Sequence, residues 1–320
     1  MTDARTAPDR PDEARGAAAW AAAASAPPTA EAAKATPAAS PPGEGRDLSR
    51  LLRVALPLAV FALVIWGWEA YVVAYAVPHY ILPAPSRIME TMIADWPILF
   101  ASLLQTLRTT FLGLLLAIAG GVTLAVLLSL SRLIEYSLYP YAVVLQVTPV
   151  VAISPLLLIY MPQEAAVLTC AWIVAFFPIL SNTTLGLQSV DRNLLELFDL
   201  YGATKPSWAP AWLGRFLSRV KALWYLRRPA ALPYFLAGLK IAGGLALIGA
   251  VVAEIAAGSA GAGSGLAYRI LESQFRLNIP RLFAALALLS ITGVVIFLAM
   301  SGLSHMLLRR WHESALKQER

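Results

Sequence analysis

Six apolar stretches limit what this chain can fold into: about Val54 to Tyr75, Leu103 to Leu128, Leu138 to Tyr160, Ala165 to Leu180, Phe235 to Ala257 and Leu282 to Leu307. Each is near the length that crosses about 30 Å of hydrocarbon at 1.5 Å rise per residue. The pattern predicts a polytopic helical membrane protein. A content of 58% hydrophobic and only 14% charged residues exceeds what a soluble core of this length would hold. The fourth stretch is the shortest and contains Pro178. Between the first two, Ile81-Leu-Pro-Ala-Pro-Ser86 breaks the chain, and the charges Arg87, Glu90 and Asp95 make Arg87 to Phe100 an interfacial helix rather than a span.

Charge places the remaining segments. With the N-terminus taken as cytoplasmic, the inner segments hold Arg46, Arg50, Arg53, Arg132, Arg192, Lys205, Arg215, Arg219, Lys221, Arg227, Arg228, Arg309, Arg310, Lys317 and Arg320. The outer segments hold only Arg87, Arg269, Arg276 and Arg281, so cation bias puts both termini inside. The net charge of +6 reflects this leaflet orientation. The cations cluster beside spans with no aromatic-interleaved reading motif, which excludes a nucleic-acid role. Residues 1–50 are rich in Ala and Pro and cannot bury enough apolar surface to fold alone, so they are expected to form a disordered tail. Within them Gly16 to Ala26 faintly imitates a signal peptide, but acidic residues precede it and alanine is weakly apolar. Residues 311–320 form a second cytoplasmic tail. The single cysteine, Cys170, lies inside a span and reads as a packing residue.

The longest charged interruption, Asp191 to Arg228, carries Glu196-Leu-Phe-Asp-Leu-Tyr-Gly202 and then Arg227-Arg-Pro-Ala-Ala-Leu-Pro233. Its joint spacing of acid, glycine and Leu-Pro resembles the EAA loop of binding-protein-dependent ABC importer permeases, in which two short helices press into a groove on the ATPase. Glu196 and Gly202 keep that family's spacing, while Leu197 and Phe198 replace its two alanines. Tyr201-Gly-Ala-Thr-Lys-Pro-Ser-Trp208, Pro229-Ala-Ala-Leu-Pro-Tyr-Phe-Leu-Ala-Gly-Leu-Lys240 and Ile248-Gly-Ala-Val-Val-Ala-Glu254 are similar to the nitrate, sulfonate, taurine and bicarbonate group of these permeases. The resemblance covers about Leu51 to Arg310, a transmembrane permease domain of residues 51–310 with its coupling loop at 191–233. It implies an all-α, six-span permease of the type I ABC importer kind, in a bacterial inner membrane. It also implies ATPase subunits, a periplasmic solute-binding protein and a second permease copy, as a homodimer, for partners. Glu196, Asp199, Gly202, Ala203, Pro229 and Pro233 become the expected coupling residues. Gly202 permits a tight turn between the two short helices, and the two prolines restrain the exit toward span five.

One departure from the family is large. Gly202 and Pro229 stand 27 positions apart, and about fourteen residues, Ala209 to Ala222, look inserted. There Trp212, Leu213, Phe216, Leu217, Val220, Leu223 and Trp224 fall on one arc of a 3.6-residue helix, with Arg215, Ser218, Arg219 and Lys221 opposite. A basic amphipathic helix of this kind suits the anionic inner leaflet, which makes membrane lipid a partner. The rival reading is an added contact to the ATPase or another protein.

Other chemistry is excluded by what the sequence lacks. There is no G-x-x-x-x-G-K-[ST], so ATP is hydrolysed by a separate subunit. The glycine-rich run Gly258 to Gly265 has no lysine and reads as a flexible outer loop. His79, His305 and His312 are scattered without acid or cysteine companions, so neither a metal nor a cofactor is expected, nor is a membrane-embedded enzyme. Three charges inside spans, Arg108, Glu69 and Glu254, are candidates either for a solute pathway or for structural ion pairs, with Arg108 placed to neutralise one of the carboxylates. Gly238, Gly243, Gly244 and Gly249 suit close helix packing or a pathway-lining face. Arg269, Arg276 and Arg281 favour delivery of an anion or contact with acidic patches on the binding protein. A small-solute permease, the solute an anion such as nitrate, sulfonate, taurine or bicarbonate, is the resulting expectation. The alternative is an ATP-independent secondary transporter or channel, which calls for internal repeats around a midplane charge; no repeat is evident.

Overall fold

The computed structural model describes residues 44–202, 211–258 and 264–309. The chain divides into two compact units, Met1–Leu63 and Val64–Arg320. In the first, the described residues are turns of helix α1 (Glu44–Ala74), which contains Pro57. Residues Glu44–Arg50 are therefore helical, where the sequence reading has them in the tail.

The second unit carries the rest, and the described residues are helical: α2 (Pro85–Ala94), α3 (Trp96–Leu130), α4 (Arg132–Val147), α5 (Val150–Tyr160), α6 (Gln163–Gln188), α7 (Arg192–Gly202), α8 (Ala211–Ala222), α9 (Arg228–Ala257), α10 (Leu266–Phe275) and α11 (Ile279–Arg309). The interfacial helix is shorter than its sequence suggests. It ends at Asp95, and Trp96 to Phe100 already belong to α3, whose first turn takes Pro97 because a first-turn N–H has no intrahelical acceptor to lose. The fourth span is not short: α6 has 26 residues and runs through Pro178. The third is not straight. Pro149 forces Thr148 into extended backbone (φ −68°, ψ 122°), and α4 and α5 meet at 98°.

Helix α6 is the centre of the unit, packed against α3 on one side and α9 on the other. Small residues set these contacts. A methyl group at Gly113 would stand 2.7 Å from Cβ of Ala171, and one at Gly121 would stand 2.8 Å from the Ile179 side chain. Both pairs advance together, so α3 and α6 are parallel. On the other side, a methyl at Gly238 would reach the Pro178 carbonyl oxygen at 2.7 Å, and one at Gly249 the Cys170 carbonyl oxygen at 2.8 Å. Here the numbers run oppositely, so α9 is antiparallel to α6. Two parallel helices in succession need a return between them, and the bent pair α4–α5 supplies it. Among the described residues five helices are long and apolar enough to cross a membrane, six crossings when the bent pair counts as one.

The four glycines of span five do not share one role. Gly238 and Gly249 meet α6, Gly243 meets Ile296 and Met300 of α11, and Gly244 has nothing within 4 Å. Gly249→Val is therefore expected to destabilise the purified protein by about 1–3 kcal/mol, the usual cost of overpacking, whereas Gly244→Ala leaves its thermal unfolding in detergent unchanged.

Candidate functional site

The segment that resembles a coupling loop lies where α3 and α6 end and α9 begins. Asp191 opens α7 by accepting a hydrogen bond from the Asn193 N–H at 2.9 Å, which satisfies one of the donors a helix start leaves free. Along α7, Leu194, Glu196 and Leu197 are exposed, a mixed apolar and acidic surface in reach of a partner. Gly202 is its last residue, and Ala203 lies outside the described residues. Asp199 is within α7.

Helix α8 coincides with the amphipathic insertion and packs beside α7. It does not lead into a loop. A single π turn, Leu223–Arg227, joins it directly to α9, with the Arg228 N–H bonded to the Leu223 carbonyl. Pro229 sits in the first turn of α9 and Pro233 inside it, so both prolines are part of the helix that becomes span five rather than of a separate exit. The wider turn falls just before the positions where proline cannot donate to the preceding turn.

Two arginines fasten this segment to the bundle. Arg219 Nη1 donates to the Leu130 carbonyl at 3.1 Å and Arg227 Nη1 to the Ser129 carbonyl at 3.0 Å. Those oxygens close α3 and have no acceptor role inside it; the cations also lie at the negative end of its dipole. Arg219 of the insertion and Arg227 of the π turn thus cap the C-terminus of a span 89 and 98 residues away. No local sequence signal marks this, because the acceptors are backbone atoms.

The candidates for in-membrane charge fall apart into separate environments. Glu69 accepts from both the N–H (3.0 Å) and the hydroxyl (2.7 Å) of Ser86, holding the first turn of α2. Glu254 is 7% exposed. The Thr106 hydroxyl donates to it at 2.9 Å while accepting from the Leu266 N–H at 2.9 Å, and the Ala267 N–H donates to Glu254 at 3.1 Å. A methyl on Gly265 would overlap this carboxylate. Glu254 therefore pins the start of α10 to α3 and α9. Arg108 is exposed and, among the described residues, forms an ion pair with neither carboxylate. The arginines read as anion-facing are also occupied. Arg281 makes a two-pronged pair with Asp95 (2.6 and 2.9 Å), Arg269 bonds Glu272 (2.7 Å) and the Ser102 hydroxyl (3.0 Å), and Arg276 bonds Glu272 (3.0 Å). The charge not singled out beforehand is Lys240, half-buried inside α9 with no hydrogen bond or ion pair among the described residues. Its position in an otherwise apolar run was the available signal.

Residues 113–208 and 215–313 match the family described as binding-protein-dependent transport system inner membrane component. The unmatched residues between the two stretches, 209–214, are the first six of the insertion, and the rest of it falls within the match. The chain is 33% identical over 255 residues to the formylaminopyrimidine transport permease protein ThiX of Halalkalibacterium halodurans, covering 79% of this chain and 94% of that one. It is 32% identical over 271 residues to the riboflavin transport system permease protein RibX of Chloroflexus aurantiacus, covering 81% and 90%. To a probable ABC transporter permease protein of Haemophilus influenzae it is 30% identical over 255 residues, covering 79% and 97%.

Thr106→Val would strip Glu254 of a donor and leave the Leu266 N–H without its acceptor. A loss of about 1–3 kcal/mol for each buried group so orphaned is expected, read as a lowered unfolding temperature in detergent. Arg108→Ala, on the exposed face, should leave that temperature in place.

Proposed function

The chain belongs to the binding-protein-dependent transport system inner membrane component family, and from that premise we propose that it is the permease subunit of an ATP-driven importer of a small solute. It catalyses no covalent step. Two copies enclose the pathway, ATPase subunits dock on the 191–233 segment, and a periplasmic binding protein delivers the solute. Both termini face the cytoplasm of a bacterial inner membrane. ATPase closure moves α7, and alternating access follows in the spans.

The observation that carries this reading is the mechanical continuity of the segment. Helix α7 presents Leu194, Glu196 and Leu197 outward. Beside it, α8 and the π turn after it are fastened to the end of α3 through Arg219 and Arg227 and run without a break into α9. A push on the exposed surface is thus delivered to two spans. Gly202, at the end of α7, is the pivot, and Glu196, Asp199, Ala203, Pro229 and Pro233 complete the coupling set.

For the solute, an anion such as nitrate, sulfonate, taurine or bicarbonate accords with the group resemblance and with Lys240, a cation inside a span with no ion pair among the described residues. A neutral or weakly charged heterocycle is a second reading, favoured by relatives named for formylaminopyrimidine and riboflavin. Thermal shifts of the cognate binding protein with each class separate the two.

Gly202→Trp is expected to cut uptake by roughly tenfold or more, a barrier rise above about 1.4 kcal/mol, while the variant still inserts. Co-purification of the ATPase with wild type and its loss from Glu196→Lys would complete the pattern. Normal uptake by Gly202→Trp, or no ATPase captured by wild type, would overturn the coupling assignment.

A further inference from the structure

A cavity of about 650 Å³ lies between α3 and α9, floored by α6, at the end of the bundle where α8 is attached. Apart from Thr123, Thr183 and Arg228 its wall is hydrocarbon, supplied by Val122 and Val126 of α3, Leu187 of α6, and Leu232 and Phe235 of α9. From Arg228 to Phe235 it follows α9 for about two turns, roughly 10 Å. Its size is within the roughly 300–1,000 Å³ of ligand sites. Water gains little in such a space.

The mouth has a different character. Arg228 lies over the Trp224 ring at 4.7 Å, and both side chains are exposed at the edge of the cavity. An arginine stacked on tryptophan is suited to the boundary between hydrocarbon and headgroups, where each keeps its apolar body in one medium and its polar end in the other. Arg219 and Arg227 spend hydrogen bonds on the α3 carbonyls, and Arg228 has no ion pair among the described residues. Exposed Lys221 adds a further charge nearby. Between Asp199 and Glu254 the sequence contains no acidic residue, so this cluster of cations is not neutralised from within its own segment.

An apolar slot with an uncompensated cation at its rim, set at one end of two spans, fits one occupant best. We propose that the cavity holds an acyl chain of an anionic phospholipid whose phosphate rests on Arg228. A second copy of the same surface would bring the same cations against these, and an acidic protein segment would leave the deep hydrocarbon wall without a match. Occupancy would fill the wedge beneath the π turn, because Leu223 and Trp224 belong to both the turn and the cavity wall. The lipid would then stiffen the joint between the attached segment and span five. This goes beyond the transport reading and stands independently of the ATPase assignment.

The test is native mass spectrometry of the full chain released from detergent after exchange into phosphatidylglycerol or phosphatidylcholine. Wild type is expected to retain one phosphatidylglycerol per chain in preference to phosphatidylcholine. Arg228→Ala should weaken phosphatidylglycerol retention about fivefold, as loss of one contact between a surface-level cation and an anionic lipid implies, and leave phosphatidylcholine unaffected. Val122→Trp, which fills the slot, should remove both lipids. Equal retention of the two lipids by wild type would overturn the proposal. So would undiminished phosphatidylglycerol on Val122→Trp, or a Val122→Trp protein that changes only from dimer to monomer. If Val122→Trp does not fold, quenching of Trp224 by phosphatidylglycerol with brominated chains, isolated by subtracting Trp224→Phe, replaces it. Quenching stronger than with brominated phosphatidylcholine supports the site, and equal quenching overturns it.

Discussion

Close approach of α6 to its two neighbours is the constraint on which the rest of the unit depends. Lipid tails are as apolar as leucine, so burying a side chain between two spans gains little over leaving it in hydrocarbon. What holds spans together is the density of contact. Gly113 and Gly121 on α3, and Gly238 and Gly249 on α9, let those backbones come within reach of α6, where Ala171, Ala175 and Cys170 are fully buried. The parallel course of α3 and α6 then requires a return crossing, and the bend at Pro149 is where the chain makes it. Leucine, valine and phenylalanine remain widely exposed around this centre, as the surface of a protein that meets lipid rather than water must.

At its two ends the bundle meets a different problem, which it solves with polar groups. Helix starts and stops leave backbone donors and acceptors without partners. At one end Glu254 and Thr106 take the first N–H groups of α10, and Glu69 takes that of Ser86. At the other, Arg219 and Arg227 take the last carbonyls of α3. The same atoms that satisfy the backbone fix where each end segment sits. For the segment after α7, this means that α8 and the π turn are tied to the end of α3 and run on into α9.

Much of this was legible in the chain. The apolar runs located each crossing, since hydropathy over twenty residues leaves few alternatives, although α6 continues to Gln188 past the expected Leu180 and α9 begins at Arg228 ahead of the expected Phe235. The 3.6-residue arc through Leu217, Val220 and Trp224 foretold α8, although Trp224 falls in the π turn that follows it. Spacing around Glu196 and Gly202 led to a family that the matched residues bear out. Three things were less visible. The third crossing reads as one apolar run, Leu138 to Tyr160, and the bend at Pro149 was not anticipated because total hydropathy across it is unbroken. Pro229 and Pro233 were expected to restrain an exit toward span five, yet after the π turn they lie within α9 itself. Arg108 looked like a counter-ion, but a carboxylate can be satisfied by hydroxyl and N–H groups, and those are not distinguishable by charge.

The sequence by itself determined that this is a helical membrane protein, roughly where it crosses, and to which permease family it belongs. These follow from transfer energies, periodicity and motif spacing, which depend on neighbours along the chain. The tertiary structure alone decided which charges are spoken for. Glu254 meets Thr106 across 148 residues, Arg281 meets Asp95 across 186, and Arg227 meets Ser129 across 98. Partners so distant, one of them a backbone carbonyl common to every residue type, leave no pattern in the order of side chains; only the packing of the helices brings them together.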